Sequence, residues 1–265
     1  MNVKDKVIVI TGGAGGMGLS CSEKLLLRDA KFVAIFDIPS PAAESAVKKL
    51  RDQFGDSRVG LYACDVTSDE QVNSSFGKVI DAFGSFDVLI NAAGFVCQKR
   101  WQFMIDVNFT GLVRATLKAI DLIGKHKGGK GGTIVNVASL LGFSTWRCIP
   151  VYCGTKYAVV GFTLCLKDSY STTGVRMLLM CPGFTDTAFV TKLLADIHFD
   201  FVDREELRNS IKMRPGQPVH FVSDAILRMI EKGENGDICF AEVGQPPELV
   251  DSSSLDELPK RPFYD

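Results

Sequence analysis

Short β-branched runs alternate with longer amphipathic segments along most of this sequence. Such alternation is typical of a parallel sheet, because parallel strands need long crossover connections that are usually helical. We therefore predict an α/β fold, a doubly wound seven-stranded parallel sheet with helices on both faces. The predicted strands are 7–11, 32–37, 60–64, 88–91, 133–138, 175–180 and 238–241, and the predicted helices are roughly 17–28, 41–54, 68–83, 101–124, 151–170 and 218–232.

The alternation continues without an internal repeat or a Pro/Ser-rich linker, which predicts a single domain over residues 1–245. Residues 184–215 interrupt the pattern with four phenylalanines among charged residues, and we interpret them as a lobe over a substrate site. Residues 246–265 are rich in turn formers and acidic groups, so we expect a loosely held C-terminal tail.

The charge balance argues against a nucleic acid or a membrane surface as partner, because 30 basic residues face 31 acidic ones. No apolar run approaches the ~20 residues of a membrane span, so no membrane insertion is expected. The eight cysteines include no C-x-x-C pair, which favours a reducing, cytoplasmic location. Three scattered histidines and no G-x-S-x-G motif argue against a metal site and a serine hydrolase. A small-molecule substrate is the remaining expectation.

A cluster of glycines follows the first predicted strand directly and precedes a helix that starts near Met17. Glycines there allow a tight turn and a close approach to a pyrophosphate, although the cluster alone also fits a purely structural turn. Asp37 ends the second strand, where a carboxylate can bind ribose hydroxyls and repel a 2'-phosphate. The sequence therefore predicts NAD as cofactor. The residues expected to bind it are Gly12, Gly16, Met17, Gly18, Asp37, Ile38, Asp65, Val66, Asn91, Ala92 and Gly94.

Tyr152 and Lys156 lie four residues apart at the start of a predicted helix, so their side chains share one face. An adjacent ammonium and an oxidised nicotinamide would lower the pKa of the phenol from about 10 and make it a general base. Ser139, after the fifth strand, can hold the substrate oxygen at the same edge. Asn108 lies inside a predicted helix, either as a tolerated surface residue or with a functional role. Without such context the tyrosine and lysine could equally be a surface pair.

Together these motifs resemble the short-chain dehydrogenase/reductase family over about residues 3 to 245. They are T-G-x-x-x-G-x-G from Thr11, N-A-A-G from Asn91, Asn108, Ser139, Y-x-x-x-K from Tyr152, and Pro182-Gly183 followed by Thr187. The resemblance implies a Rossmann fold, Asn108 in a helix kink with a role in proton relay, and Lys156 on the nicotinamide ribose. It also implies cofactor contacts from Pro182, Gly183, Thr185 and Thr187, and a homodimer or homotetramer.

Within the family, stretches such as NFTGLV (108–113) and PVYCGTK (150–156) resemble the hydroxyprostaglandin dehydrogenases and the insect-type alcohol dehydrogenases. By that likeness Ser139, Ile149 and Tyr152 contact substrate, but an apolar Ile149 replaces a glutamine of the prostaglandin enzymes and argues against prostaglandin recognition. Trp146, Phe184, Phe189 and Phe199 are candidate cavity walls. We expect oxidation of a lipophilic secondary or allylic alcohol, or reduction of its carbonyl compound. A catalytically silent nucleotide-binding or storage relative is the alternative, and a methyltransferase is disfavoured.

Overall fold

A computed structural model describes residues 1–187 and 216–253, together with Glu205, Asn209 and Lys212. Within these residues eight strands form one sheet. The strands are β1 (Val7–Thr11), β2 (Phe32–Asp37), β3 (Val59–Ala63), β4 (Val88–Asn91), β5 (Gly132–Val137), β6 (Val175–Pro182), β7 (Ile238–Ala241) and β8 (Glu248–Val250). Their spatial order is β3-β2-β1-β4-β5-β6-β7-β8. The predicted doubly wound fold is confirmed.

Strand order reverses beside β1, which pairs in parallel with both β2 and β4. Thr11, the last residue of β1, aligns with Phe36 on one side and Asn91 on the other. The connections from these strands leave toward opposite faces, so a crevice opens at their carboxyl ends, where doubly wound sheets bind ligands. The topology therefore fixes where a site can form before any side chain is considered.

The predicted number of strands is wrong by one, because β8 adds an antiparallel edge. Val250 pairs with Ile238 after a turn that includes Gly244 at a φ of +86°, a conformation that favours glycine. Three residues are too short a run for alternation to be recognised in the sequence. β8 lies within 246–265, the segment that the sequence analysis expected to be a tail. Residues 254–265 of that segment lie outside the described residues, as do residues 188–204 of the expected substrate lobe.

Helices cover the sheet, and two of them begin at side-chain caps. The helices are α1 (Gly16–Leu27), α2 (Pro41–Phe54), α3 (Asp69–Phe83), α4 (Trp101–Ile105), α5 (Leu112–Ile123), α6 (Pro150–Lys167), α7 (Tyr170–Thr173) and α8 (Val219–Lys232). Ser40 Oγ accepts from the Ala43 amide at 3.1 Å at the start of α2, and Ser68 caps α3 in the same way. The helix predicted over 151–170 ends at Lys167, three residues early.

The helix predicted over 101–124 is divided, since a π-helical turn at Asp106–Gly111 separates α4 from α5. Such turns contain an extra residue that redirects a side chain, often at a functional site. The turn includes Asn108, so the kink that the resemblance implied is present. Gly111 lies so close to Val66 that a Cβ there would be 2.8 Å from a methyl carbon of the valine.

The apolar core lies on both faces of the sheet. Within β1, Ile8 and Ile10 face one cluster, which includes Leu25 of α1 and Ile226 of α8. Val7 and Val9 face the other, with residues of α3 and α5. Burial on both faces explains the continuous apolar strands. Among the described helices, none is both long and apolar enough to cross a bilayer.

Candidate active site

The glycine turn after β1 is shaped for close backbone approach. Gly12 has a φ of +67°, and a Cβ on it would be 2.7 Å from the Ala93 Cα. A Cβ on Gly18 would overlap the Gly12 carbonyl oxygen. Side chains are therefore excluded at both positions, and α1 can begin at Gly16 with its first amides directed toward the crevice. Met17 lies in that first turn.

Asp37 lies beside this turn at the end of β2, partly buried. Its Oδ2 accepts from the Ala14 amide at 2.9 Å and its Oδ1 from the Ile38 amide at 2.8 Å. These two backbone donors orient the carboxylate and leave it acceptor capacity for a ligand. The position matches the one predicted for a ribose-binding carboxylate.

A cavity of about 150 Å³ opens between the glycine turn and the ends of β2, β3 and β4. Six residues predicted to bind the cofactor line it: Gly12, Asp37, Ile38, Asp65, Val66 and Gly94. Six others that the sequence analysis missed also do: Phe36, Cys64, Ala93, Phe95, Phe103 and Val107. Ala93 falls inside the N-A-A-G motif and could have been included, whereas Phe103 and Val107 reach the cavity only through the kinked helix.

Asn91 supports this edge from below. Its Nδ2 donates to Thr116 Oγ1 and to Asn136 Oδ1, each at 2.9 Å, and Asn136 Nδ2 donates to Thr163 Oγ1 at 2.9 Å. The Ala92 amide donates to the Thr11 carbonyl oxygen at 3.2 Å. The buried network joins β4 and β5 to the helices beneath, and Asn91 is not among the residues that line the cavity described above. An asparagine within the apolar run of β5 was the available signal for Asn136.

Ser139 follows β5 and is 8% exposed. Its Oγ accepts from the Leu141 amide at 3.1 Å and donates to the Pro182 carbonyl oxygen at 3.5 Å. The Ser139 side chain also hydrogen-bonds the Tyr152 phenol. The serine is therefore held by the backbone next to the tyrosine, as predicted from the carboxyl-edge position.

Tyr152 and Lys156 project from the same side of α6, and the Lys156 ammonium is 5.6 Å from the centre of the tyrosine ring. Lys156 is 5% exposed, and its Nζ donates to the Val137 carbonyl oxygen at 2.9 Å. The sequence prediction that these two side chains share one helix face is confirmed. Both lie at the carboxyl edge together with Ser139.

Burial perturbs both titratable groups. Loss of solvation raises the pKa of Tyr152 above its usual 10, although the hydrogen bond with Ser139 opposes that shift. Loss of solvation also lowers the pKa of Lys156 from 10.5 to about 8, with the charge of Cys181 acting in the opposite direction. Loss of solvation is the largest effect on the phenol pKa, whereas the sequence-based argument attributes a lowered pKa to the ammonium and an oxidised nicotinamide acting together.

Asn108 is 1% exposed and binds the loop after β4. Its Oδ1 accepts from the Phe95 amide at 2.7 Å, and its Nδ2 donates to the Phe95 carbonyl oxygen at 2.9 Å and to Thr155 Oγ1 at 3.4 Å. The interpretation of Asn108 as a tolerated surface residue is wrong. It fixes the cavity-lining Phe95 and links the loop to α6.

The segment after β6 closes the edge near the glycine turn. Thr185 Oγ1 donates to the Gly183 carbonyl oxygen at 3.0 Å, and a Cβ on Gly16 would be 3.4 Å from Thr187 Cγ2. Fully buried Gln217, which the sequence analysis missed, donates from Nε2 to Thr185 Oγ1 at 3.1 Å. Pro182 is the last residue of β6. Pro182, Gly183, Thr185 and Thr187, the four residues implied by the resemblance, thus connect the surroundings of Ser139 with the glycine turn.

An apolar cluster surrounds the phenol. Its buried members are Val96, Met104, Trp146, Cys148, Ile149 and Cys153, with Phe184 and Tyr152 packed against it. Of the candidate cavity walls, Trp146, Ile149 and Phe184 are therefore near the tyrosine, and Phe189 and Phe199 lie outside the described residues. The surroundings of the Tyr152 ring are therefore largely apolar.

Residues 6–198 match the family model described as short chain dehydrogenase. The chain is 36% identical to 15-hydroxyprostaglandin dehydrogenase (NAD(+)) of Homo sapiens over 195 residues, 73% of each protein. It is 32% identical to alcohol dehydrogenase 1 of Ceratitis cosyra over 247 residues, 92% of this chain and 94% of the other. L-Sorbose reductase from Gluconobacter frateurii, solved with NADPH and L-sorbose, shares the fold at a TM-score of 0.75 and 23% identity, over 92% and 98% of the chains.

The chain therefore belongs to the short-chain dehydrogenase family of oxidoreductases, as its motifs predicted. More particularly, it is similar both to the human hydroxyprostaglandin dehydrogenase and to the insect alcohol dehydrogenase. The glycine cradle and the cavity beside Asp37 fit a nicotinamide dinucleotide, the cofactor type of this fold family.

Proposed function

We propose that the protein is an NAD-dependent oxidoreductase that interconverts a lipophilic secondary or allylic alcohol and its carbonyl compound. The observation that carries the proposal is the meeting of Tyr152, Ser139 and Lys156 at one edge of the sheet, within a mostly apolar cluster. Oxidation of an alcohol needs a proton acceptor and a hydrogen-bonding hydroxyl at the same oxygen atom, which Tyr152 and Ser139 provide.

In the oxidative direction the Tyr152 phenolate accepts the proton of the substrate hydroxyl. Ser139 Oγ accepts from the Leu141 amide, and its single O–H turns from the Pro182 carbonyl oxygen to the substrate oxygen as negative charge develops there. The ammonium of Lys156 stabilises the phenolate from the neighbouring turn of α6. Bound NAD supplies the hydride acceptor and the positive charge that favours the phenolate. In the reverse direction Tyr152 returns the proton.

The residues that would hold the dinucleotide are those of the glycine turn, Asp37 and the cavity. By the family resemblance, residues 182–187 would contact the nicotinamide. NAD is favoured over NADP because the Asp37 carboxylate would repel a 2'-phosphate. The name of the human relative also specifies NAD. Lys156, whose Nζ binds the Val137 carbonyl, would exchange or share that bond with the nicotinamide ribose.

We further propose a homodimer or homotetramer located in the cytoplasm. Trp101, Leu117 and Tyr157, on α4, α5 and α6, are each more than 40% exposed, and large apolar groups exposed on neighbouring helices are typical of an interface. All eight cysteines are free thiols, which suits a reducing compartment.

The test is a spectrophotometric screen at about 340 nm, where the reduced nicotinamide absorbs. Purified protein is given NAD or NADP with short secondary alcohols, terpenoid and long-chain alcohols, sterols and hydroxylated fatty acids. Tyr152→Phe should abolish turnover of every accepted alcohol, whereas Tyr157→Phe, on the exposed side of the same helix, should not. Measurable NAD binding without turnover of any alcohol or carbonyl compound would instead support the silent nucleotide-binding or storage relative.

A further inference from the structure

Gln98 stands out among the buried polar residues of this protein. It is 3% exposed, and neither its Nε2 nor its Oε1 has a hydrogen-bond partner among the residues that the structure describes. Buried polar side chains in folded proteins are nearly always hydrogen-bonded, because an unpaired amide loses its bonds to water without replacement. A buried side chain whose donor and acceptor both lack a partner is therefore a candidate for binding a ligand.

The other buried amides near the site show the contrast. Asn91, Asn108 and Asn136 all use both ends of their side chains in hydrogen bonds within the protein. Gln217 uses its Nε2 twice and leaves only Oε1 unpaired. Gln98 alone of these five has neither end engaged, so contacts within the described part of the chain do not account for its polarity.

Gln98 belongs to the segment that forms one wall around the phenol. Val96 precedes it and Met104 follows it, and both are buried in the apolar cluster with Trp146 and Ile149, against which Tyr152 packs. On its other side the same segment lines the dinucleotide cavity through Phe95 and Phe103. Gln98 therefore lies, along the chain, between residues that line the cavity and residues that belong to the apolar cluster on both its sides.

We propose that Gln98 determines specificity by binding a second hydroxyl group of the substrate, so that the preferred substrate is a diol with an apolar skeleton. This inference rests on the proposed alcohol dehydrogenase function and names its substrate class. The oxidised hydroxyl meets Tyr152 and Ser139, and the non-reacting hydroxyl meets the Gln98 amide. Ile149 cannot contribute such a bond from the opposing part of the cluster.

The chemistry of the amide selects a hydroxyl over an anion. A hydroxyl donates to Oε1 and accepts from Nε2, so one group satisfies both ends. A carboxylate can only accept and would face Oε1 with like polarity, in surroundings that bury it. The guanidinium of nearby Arg100 is engaged by aromatic rings: its Cζ lies 5.4 Å from the ring centre of Phe95 and 4.2 Å from that of Phe103.

The experiment compares a diol, the mono-alcohol with the same skeleton, and the corresponding hydroxy acid in the full-length protein with NAD. We expect the wild type to prefer the diol by about tenfold or more in kcat/KM, since a buried unpaired amide discriminates strongly against a ligand that lacks its partner. Gln98→Met should remove that preference while leaving the mono-alcohol within a few-fold. Gln102→Met, an exposed glutamine of α4, is the matched control and should keep the preference.

The melting temperature of Gln98→Met distinguishes a ligand-binding role of Gln98 from a structural one, because the two roles predict opposite shifts. Removing an unsatisfied buried amide should raise the Tm of Gln98→Met by about 2–4 °C. A lower Tm, or equal kcat/KM for diol and mono-alcohol in the wild type, overturns the inference, as does a preference for the hydroxy acid. If mono-alcohols are oxidised through Tyr152 without any diol preference, the inference fails and the proposed function stands.

Absence of turnover with any alcohol counts against the proposed function. In that case the role of Gln98 is tested by binding: the Tm is measured with NAD present, with and without the diol. A rise in the wild type that Gln98→Met loses supports the inference, and no rise overturns it.

Discussion

The crevice at the carboxyl edge of the sheet has two ends, and their charged side chains differ in burial. At the dinucleotide end, comprising the glycine turn and Asp37, the one carboxylate at the turn is partly exposed and held by two backbone amides. At the reaction end, comprising Ser139, Tyr152 and Lys156, the lysine is almost completely buried and both titratable groups have shifted pKa values. Binding a charged ligand needs fixed backbone geometry, whereas proton transfer needs groups whose ionisation the protein has altered.

This comparison explains why glycine dominates one end and functional side chains the other. A pyrophosphate is recognised by amides that side chains would obstruct, as at Gly12 and Gly18. A substrate proton must pass to a particular oxygen, which only a placed side chain provides. The four predictions below test the contrast, beginning with the largest expected effect.

Ser139→Ala should lower kcat/KM about 10²–10³-fold, because an oxygen-binding donor is lost at the point where charge develops. It should also reduce stability by about 1 kcal/mol, since Ser139 Oγ accepts from the Leu141 amide. Steady-state kinetics and urea unfolding measure both. Ser144→Ala, in the same loop but exposed, is the control. Turnover within a few-fold of wild type would remove Ser139 from the mechanism.

Lys156 should make stability rise with pH between about 8 and 10.5. Its folded pKa of about 8 is below the ordinary 10.5, so within that window the unfolded chain binds the extra proton. Below pH 8 the buried ammonium destabilises the fold by about 3 kcal/mol, and above 10.5 that contribution vanishes.

Urea unfolding across that pH range measures the effect as the difference between Lys156→Met and wild type. The stability advantage of the variant should shrink as the pH rises through the window. The exposed Lys49→Met provides a control whose difference should stay constant. A constant difference for Lys156→Met as well would contradict a buried, readily neutralised ammonium.

Asn108→Ala should reduce the free energy of unfolding by about 2 kcal/mol, because both backbone groups of Phe95 lose their partner. Affinity for NAD should also fall, since Phe95 lines the cavity. Calorimetric titration with NAD and urea unfolding measure the two effects, with the exposed Asn73→Ala as control. Unchanged affinity for NAD would show that the π-helical turn does not contribute to dinucleotide binding.

Asp37→Ala should shift the ratio of kcat/KM for NAD to that for NADP about tenfold toward NADP, roughly 1.4 kcal/mol. The carboxylate is lost both as a ribose partner and as a source of repulsion. The same preparation assayed with both cofactors serves as its own control for folding. An unchanged ratio would show that Asp37 orients the Ala14 amide and does not select the cofactor.

The sequence predicted the bounds of four strands, β1, β2, β4 and β7, residue for residue. It missed β8, whose three residues form a strand only because the edge of β7 is available. The apolar pattern alone also missed the division of the helix at Asn108, which only the family resemblance implied, since a π-helical turn depends on partners in another loop. Tyr152, Lys156 and Ser139 were found because helical spacing and strand ends are local properties.

The chain by itself determined the order of elements, the glycine turn and the carboxylate that follows β2, since these depend on backbone sterics and on residues close in sequence. Only tertiary structure decided the direction of the pKa shifts of Tyr152 and Lys156, because loss of solvation depends on what packs around a group. It likewise decided the burial of Gln98, whose side-chain amide has no hydrogen-bond partner among the described residues.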